Sequence, residues 1–187
     1  MKYIFLQKTG AMTKVELKEL IDSWENLQYL VTEIVRNPEY YKLLIELAFY
    51  DTHSKSWRAA YLVDKINDNH PELLHPFLSE MIDQVQIEKS SGKKRHFLKL
   101  ISLNDLTEEQ HGFLFDFCIE TLKSGKEPAA VRVHAMQILY NTAVKEPELI
   151  PEILLIIEDE MENHSTAGIT SRGRKLVANL KKALDKI

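Results

Sequence analysis

Three arginines, Arg58, Arg95 and Arg132, stand 37 residues apart, and each opens an apolar stripe: Arg58-Ala-Ala-Tyr-Leu-Val, Arg95-His-Phe-Leu-Lys-Leu and Arg132-Val-His-Ala-Met-Gln-Ile-Leu. A second echo spans 76 residues, close to two such steps, because Pro71-Glu-Leu-Leu-His-Pro76 and Pro147-Glu-Leu-Ile-Pro151 open similar segments. Two offsets that agree point to an internal repeat. A unit of this length holds two amphipathic helices, and one pair alone cannot bury both of its apolar stripes. Stacking successive pairs builds a continuous core and leaves the terminal units atypical.

Helical spacing supports that reading along the chain. From Thr13 to about Arg36, Val15, Leu17, Leu20, Ile21, Trp24, Leu27, Leu30, Val31 and Ile34 recur every three or four residues, which predicts one long helix or two broken near Glu25-Asn26. Asn37-Pro38 predicts a helix start with Asn37 as capping acceptor, running to about Tyr50. A polar turn over 51–56 precedes a helix from Trp57, and Pro71 opens another that contains Pro76 in its first turns and stops near Ile87. Ser90-Ser-Gly-Lys-Lys94 reads as a linker, followed by a helix with Phe97, Leu98, Leu100 and Ile101. The next carries Phe113, Leu114, Phe117, Ile119 and Leu122, started either by a Thr107/Gln110 capping box or by Asp105. Further helices are expected over 129–144, over 146 to about 162, and within 171–187. No alternating run demands a sheet, so the expected class is all-α.

Ser56-Trp-Arg-Ala-Ala60 and Ala130-Val-Arg132-Val-His-Ala135-Met-Gln-Ile-Leu139 resemble the HEAT-repeat family, over roughly residues 38–162. The resemblance implies an α-α superhelix of four to five helical pairs in a single domain, 1–187. Residues 1–12 would be an irregular extension and 170–187 a basic capping helix. It also implies structural roles: Arg58 and Arg132 match the basic position near the start of the first helix in a pair, and Ala60 and Ala135 match small packing positions. Arg95 takes the corresponding place in the middle unit, which departs from the pattern in its bulky Phe97 and Leu98. Pro71 and Pro147 open the second helices. Armadillo-like triplets and an irregular helical bundle are the alternatives.

Charge adds a functional expectation. With 24 Lys and Arg against 28 Asp and Glu the net charge is -4, which argues against a dedicated nucleic-acid binder but leaves room for a local positive patch. Positive charge gathers at Lys55, Arg58, Lys65, Lys89, Lys93, Lys94, Arg95 and Lys99, whereas Glu72, Glu80, Asp83, Glu108, Glu109, Asp116, Glu120, Glu148, Glu152, Glu158, Asp159, Glu160 and Glu162 follow them. Because HEAT folds place second helices on the concave side, the resemblance implies an acidic inner face suited to a basic protein or peptide. Tyr40, Tyr41, Tyr50, Trp57, Glu72, Asp83, Glu109, Asp116, Glu152 and Asp159 are the candidate contact residues; an ordinary solvated surface explains the same charges. The positive tail, Arg172, Arg174, Lys175, Lys181, Lys182 and Lys186, reads as a solubilised cap that complements a helix carboxyl end, with phosphate contact as the alternative.

The leading expectation is therefore a non-enzymatic scaffold for protein interaction. The enzymatic alternative is an alkylated-base DNA glycosylase-like activity, for which Asp64 and Trp57, with Trp24, would supply a carboxylate and aromatic walls. A purely structural or homo-oligomeric role is the third. Cys118 lies among apolar residues and reads as an inert thiol, the seven histidines make no metal signature, and no phosphate loop or dinucleotide motif is present, so neither metal nor cofactor is expected. Residues 1–10 are too short an apolar stretch for a secretory signal, and the single cysteine fits a reducing compartment. The expected location is cytoplasmic, with no membrane partner.

Overall fold

A computed structural model describes residues 11–23 and 27–186. Among the described residues there are ten α-helices and no strand: α1 Lys14–Ile21, α2 Leu27–Arg36, α3 Pro38–Tyr50, α4 Trp57–Asn67, α5 Leu78–Ile87, α6 Ser91–Ser102, α7 Glu108–Lys123, α8 Ala129–Lys145, α9 Ile150–Asn163 and α10 Ala167–Leu184. The expected all-α class holds. The stretch 13–36 contains two helices; Trp24 and the predicted break at Glu25-Asn26 lie outside the described residues, as does most of the expected amino-terminal extension.

The chain divides into two compact units, Met1–Leu74 and His75–Ile187. In the first, α3 packs against α1, α2 and α4, burying Tyr41, Leu44, Ile45 and Ala48. In the second, α8 is central, in contact with α6, α7, α9 and α10, and it buries Val131, Arg132, Ala135, Met136, Ile138, Leu139, Thr142 and Ala143. The closest sequential pairs are α3–α4, α5–α6, α7–α8 and α9–α10. The Arg-bearing helices α4, α6 and α8 are thus second in their pairs, and the acidic α5, α7 and α9 come first, which shifts the expected repeat phase by one helix.

Local chemistry explains the helix boundaries. Thr107 and Gln110 form the capping box, with Gln110 N donating to Thr107 Oγ1 at 3.2 Å and Thr107 N to Gln110 Oε1 at 3.0 Å. Asp105 instead accepts from Lys145 Nζ at 2.6 Å. Asn37 does not cap α3; its Nδ2 donates backwards to Glu33 O at 3.0 Å, closing α2. Both Pro-Glu-Leu segments form 3₁₀ turns, Pro71–Leu73 and Pro147–Leu149, which pack on the Arg-bearing helices α4 and α8. The 76-residue echo is therefore conformational, although the following α-helices begin only at Leu78 and Ile150. A further 3₁₀ turn, His75–Phe77, contains Pro76, so this proline precedes α5 instead of lying inside it. The expected linker at Ser90–Lys94 is mostly helix. Ser90 caps α6 by accepting from Lys93 N, and Glu88 accepts from Ser90 N at 2.7 Å while pairing with the buried Lys93 Nζ at 2.6 Å.

Arg58 and Arg132 each reach a helix end, whereas Arg95 Nη2 lies 2.8 Å from Nε2 of its neighbour His96. Arg58 donates to the backbone oxygen of Asp22 at the end of α1. Arg132 is buried, donates from Nε to Leu122 O at the end of α7 at 2.7 Å, and forms an ion pair with the buried Glu160 of α9. Helix carboxyl ends leave carbonyls without intrahelical partners, and a guanidinium can satisfy them while matching the negative end of the helix dipole. Ala60 and Ala135 are fully buried, as small packing residues should be.

Two predictions follow from this core. Removing one partner of the Arg132–Glu160 pair leaves a buried charge uncompensated, so Arg132→Ala or Glu160→Ala should each cost about 3–5 kcal/mol in urea unfolding; replacing both with apolar residues of similar volume should cost clearly less. His111 is also buried, with Nδ1 2.8 Å from Thr142 Oγ1. Burial, with Lys145 nearby, holds its pKa below the usual histidine range. The unfolded chain takes up this proton near the ordinary value of about 6.5, whereas the folded chain does so only at lower pH. Stability from this site is complete above about pH 6.5 and declines as pH falls below it. His111→Gln should flatten that part of the urea midpoint against pH.

Candidate interaction surfaces

Charge in the second unit is sorted by helix layer. Helices α5, α7 and α9 contain eleven Asp and Glu and a single Lys, whereas α6, α8 and α10 contain eleven Lys and Arg and no Asp or Glu. Ion pairs stitch the layers together at Arg132–Glu160 and Lys181–Glu158, while Lys93 and Lys94 pair with Glu88 and Glu127 of the connecting segments.

On the acidic layer, helical spacing builds a distinct exposed stripe. Glu109, Phe113, Asp116 and Glu120 follow one another at three- and four-residue steps along α7, and Glu152, Leu155, Asp159 and Glu162 do the same along α9. All eight are exposed, and α5 contributes exposed Asp83 and Ile87. Ile87 and Leu155 are each 70% exposed and Phe113 is 54% exposed. Each acidic helix therefore offers one large apolar side chain among carboxylates. Phe113, expected in the apolar stripe of its helix, points to solvent because the buried side of α7 is set by His111, Leu114, Cys118, Thr121 and Leu122. The sequence signal for these anchors is present but weak: single apolar residues spaced with acidic neighbours. Glu160 leaves the expected acidic surface altogether, being buried against Arg132.

Of the candidate contact residues, Asp83, Glu109, Asp116, Glu152 and Asp159 belong to this unit and are all exposed. Tyr40, Tyr41, Tyr50, Trp57 and Glu72 belong to the first. Tyr41 is no surface residue: it is 2% exposed, and burial, reinforced by the charge of Glu72, raises its phenol pKa. Tyr40 is half-buried and its hydroxyl accepts from Met12 N at 3.0 Å. Tyr50 is exposed at a shallow depression of about 310 Å³ lined by Lys14, Val15, Lys18, Leu47 and Asp51. Burial there would raise the Asp51 carboxyl, but the Lys18 ammonium and the His53 backbone amide hold it below the ordinary aspartate range. Trp57 is half-buried with the Arg58 guanidinium 5.9 Å from its ring centre, and Glu72 is exposed, 3.2 Å from His70 Nδ1.

The chemical alternatives gain little from this arrangement. Asp64, the carboxylate that base excision would need, is only 4% exposed and sits on the buried side of α4. Asp159, Glu160 and His164 bring ligand atoms within 4.8 Å of one another, a grouping across the end of α9 that the histidine spacing did not suggest. Its central carboxylate already neutralises Arg132, and Asp159 accepts from Asn163 Nδ2 at 2.8 Å, so the cluster is accounted for as an ion pair and a helix end. No described helix is long and apolar enough to cross a membrane.

The family model of the HEAT repeat domain matches residues 13–180. Comparison with curated proteins and with solved structures found no match.

Burial also pushes the Cys118 thiol far above its ordinary pKa, which removes the reactive thiolate. Iodoacetamide at neutral pH should leave the native protein unlabelled and label it only after denaturant unfolds α7, as read by intact mass.

Proposed function

Because this chain belongs to the HEAT-repeat family, we propose that it is a non-enzymatic scaffold whose α5–α7–α9 face docks a basic, amphipathic protein segment. The observation that supports this most is the pairing of carboxylates with exposed Ile87, Phe113 and Leu155, one on each acidic helix. Single apolar side chains are ordinary on a soluble surface, but three of them among carboxylates on the neighbouring α5, α7 and α9 complement a docked helix with Lys or Arg beside its own apolar stripe. The carboxylates steer and orient such a segment, and the apolar residues supply anchors that exclude water.

A fluorescently labelled basic amphipathic peptide, titrated with the full chain, tests the reading. Affinity should fall as salt rises, because the charged contacts are screened over about 10 Å at 0.1 M ionic strength. Charge reversal at Glu109, Asp116 and Glu152 together should weaken binding at least tenfold. Phe113→Ser with Leu155→Ser should weaken it by a similar factor while leaving the salt dependence in place, since a buried anchor is worth roughly 1–2 kcal/mol or more. Unchanged affinity in folded forms of both variants overturns the proposal.

A further inference from the structure

The basic layer of the second unit has a surface of its own, independent of the acidic one. A run of hydrogen bonds crosses it from helix to helix: Arg172 Nη1 of α10 donates to Gln137 Oε1 of α8 at 2.7 Å, Gln137 Nε2 to Asn141 Oδ1 at 2.9 Å, and Asn141 Nδ2 to the backbone oxygen of Ser102 in α6 at 2.9 Å. These bonds join the half-buried rims of α10, α8 and α6. Residues three, four or seven positions apart share a helix side, which places Arg95 and Lys99 with Ser102, His134, Tyr140 and Val144 with Gln137, and Lys175 and Asn179 with Arg172, with Lys182 seven positions beyond Lys175. No Asp or Glu occurs anywhere on α6, α8 or α10. Lys175 and Lys182 are exposed and form no ion pair among the described residues. By contrast, Lys93, Lys94, Lys145 and Lys181 are paired with carboxylates of neighbouring segments.

We propose that this face binds the phosphate backbone of double-stranded nucleic acid. Charge complementarity asks for an anionic partner, and the composition of the face narrows the class. An acidic peptide gains affinity from apolar anchors, and the most exposed large apolar residues on the helices of this unit, Ile87, Phe113 and Leu155, lie on the acidic helices, whereas α8 and α10 offer the smaller Val144 and the less exposed Leu184. Phosphodiester oxygens need none: they are bound by Arg, Lys, amide and hydroxyl groups, the set found here. Single strands are held largely by stacking on several aromatic rings, and α6, α8 and α10 offer only the buried Phe97 and the half-buried Tyr140. Arg172 to Lys182 spans about 15 Å of helix, enough to meet successive phosphates along one strand. The net charge of -4 does not oppose this, because none of the 28 Asp and Glu lies on α6, α8 or α10.

Fluorescence anisotropy with a 30-base-pair DNA duplex and the full chain provides the test. Salt-dependent binding is expected at about 50 mM NaCl, with log affinity falling linearly with log salt concentration. Lys175→Glu with Lys182→Glu should weaken it at least tenfold; Lys175→Gln with Lys182→Gln should weaken it less and lower the salt slope by about two, the count of lost phosphate contacts. Retained helical circular dichroism and melting temperature would show that the variants fold. Charge reversal at Glu109, Asp116 and Glu152 should not weaken duplex binding, so this result stands or falls apart from the basic-peptide assay. The proposal is overturned by absence of duplex binding at 50 mM NaCl, by unchanged affinity in the folded glutamate variant, or by tighter binding of polyglutamate or of a single strand than of the duplex.

Discussion

The buried guanidinium of Arg132 holds the second unit in register. One side chain from α8 reaches the carboxyl end of α7 through Leu122 O and the carboxylate of Glu160 on α9, so three consecutive helices are tied at a single point. Apolar packing alone permits neighbouring helices to slide by a turn, because leucine and isoleucine surfaces are similar at every turn. A buried ion pair does not permit it, since a one-turn shift of about 5.4 Å would strand both charges in the core. Arg58 makes the corresponding attachment in the first unit, to the end of α1. Arg58 and Arg132 thus fix where one helix ends relative to another, a contact that Arg95, bonded to His96, does not make.

With register fixed in this way, charge becomes a property of layers. Carboxylates fall on α5, α7 and α9 and cations on α6, α8 and α10; the two sets meet in the Arg132–Glu160 and Lys181–Glu158 pairs, while Lys93 and Lys94 pair with Glu88 and Glu127 of the connecting segments. Groups away from these pairs are left exposed on opposite sets of helices. A chain of net charge -4 thus carries one acidic and one basic set of helices within a single unit. The most exposed large apolar residues on these helices, Ile87, Phe113 and Leu155, lie on the acidic ones, while the basic helices carry the exposed Val144 and Leu184.

Much of the fold was legible in the residues. The 3.6-residue spacing marked most of the helices, Thr107 with Gln110 marked a cap, and the recurrence of Pro-Glu-Leu marked two turns of the same 3₁₀ form. Errors arose where a local signal had a competitor. Asn37 has the side chain for capping α3, but the Glu33 carbonyl at the end of α2 takes its amide. The Ser-Ser-Gly run resembles a linker, yet Ser90 caps a helix there and Lys93 is drawn inward by Glu88. Tyr41 and Phe113 exchanged their expected places because amphipathic spacing gives the period of a helix face without stating which neighbour covers it.

The sequence by itself determined the all-helical class, the repeated arginine and proline positions, and the alternation of acidic and basic helices, all of which depend on short-range spacing along the chain. Only the tertiary structure decided which helices pair, because pairing depends on burial summed over contacts between residues far apart in sequence. That choice made the arginine-bearing helices second in their pairs. It also buried Glu160 and Asp64 and exposed Phe113 and Leu155, since a side chain's surroundings are set by the helices packed around it and not by its own neighbours in the chain.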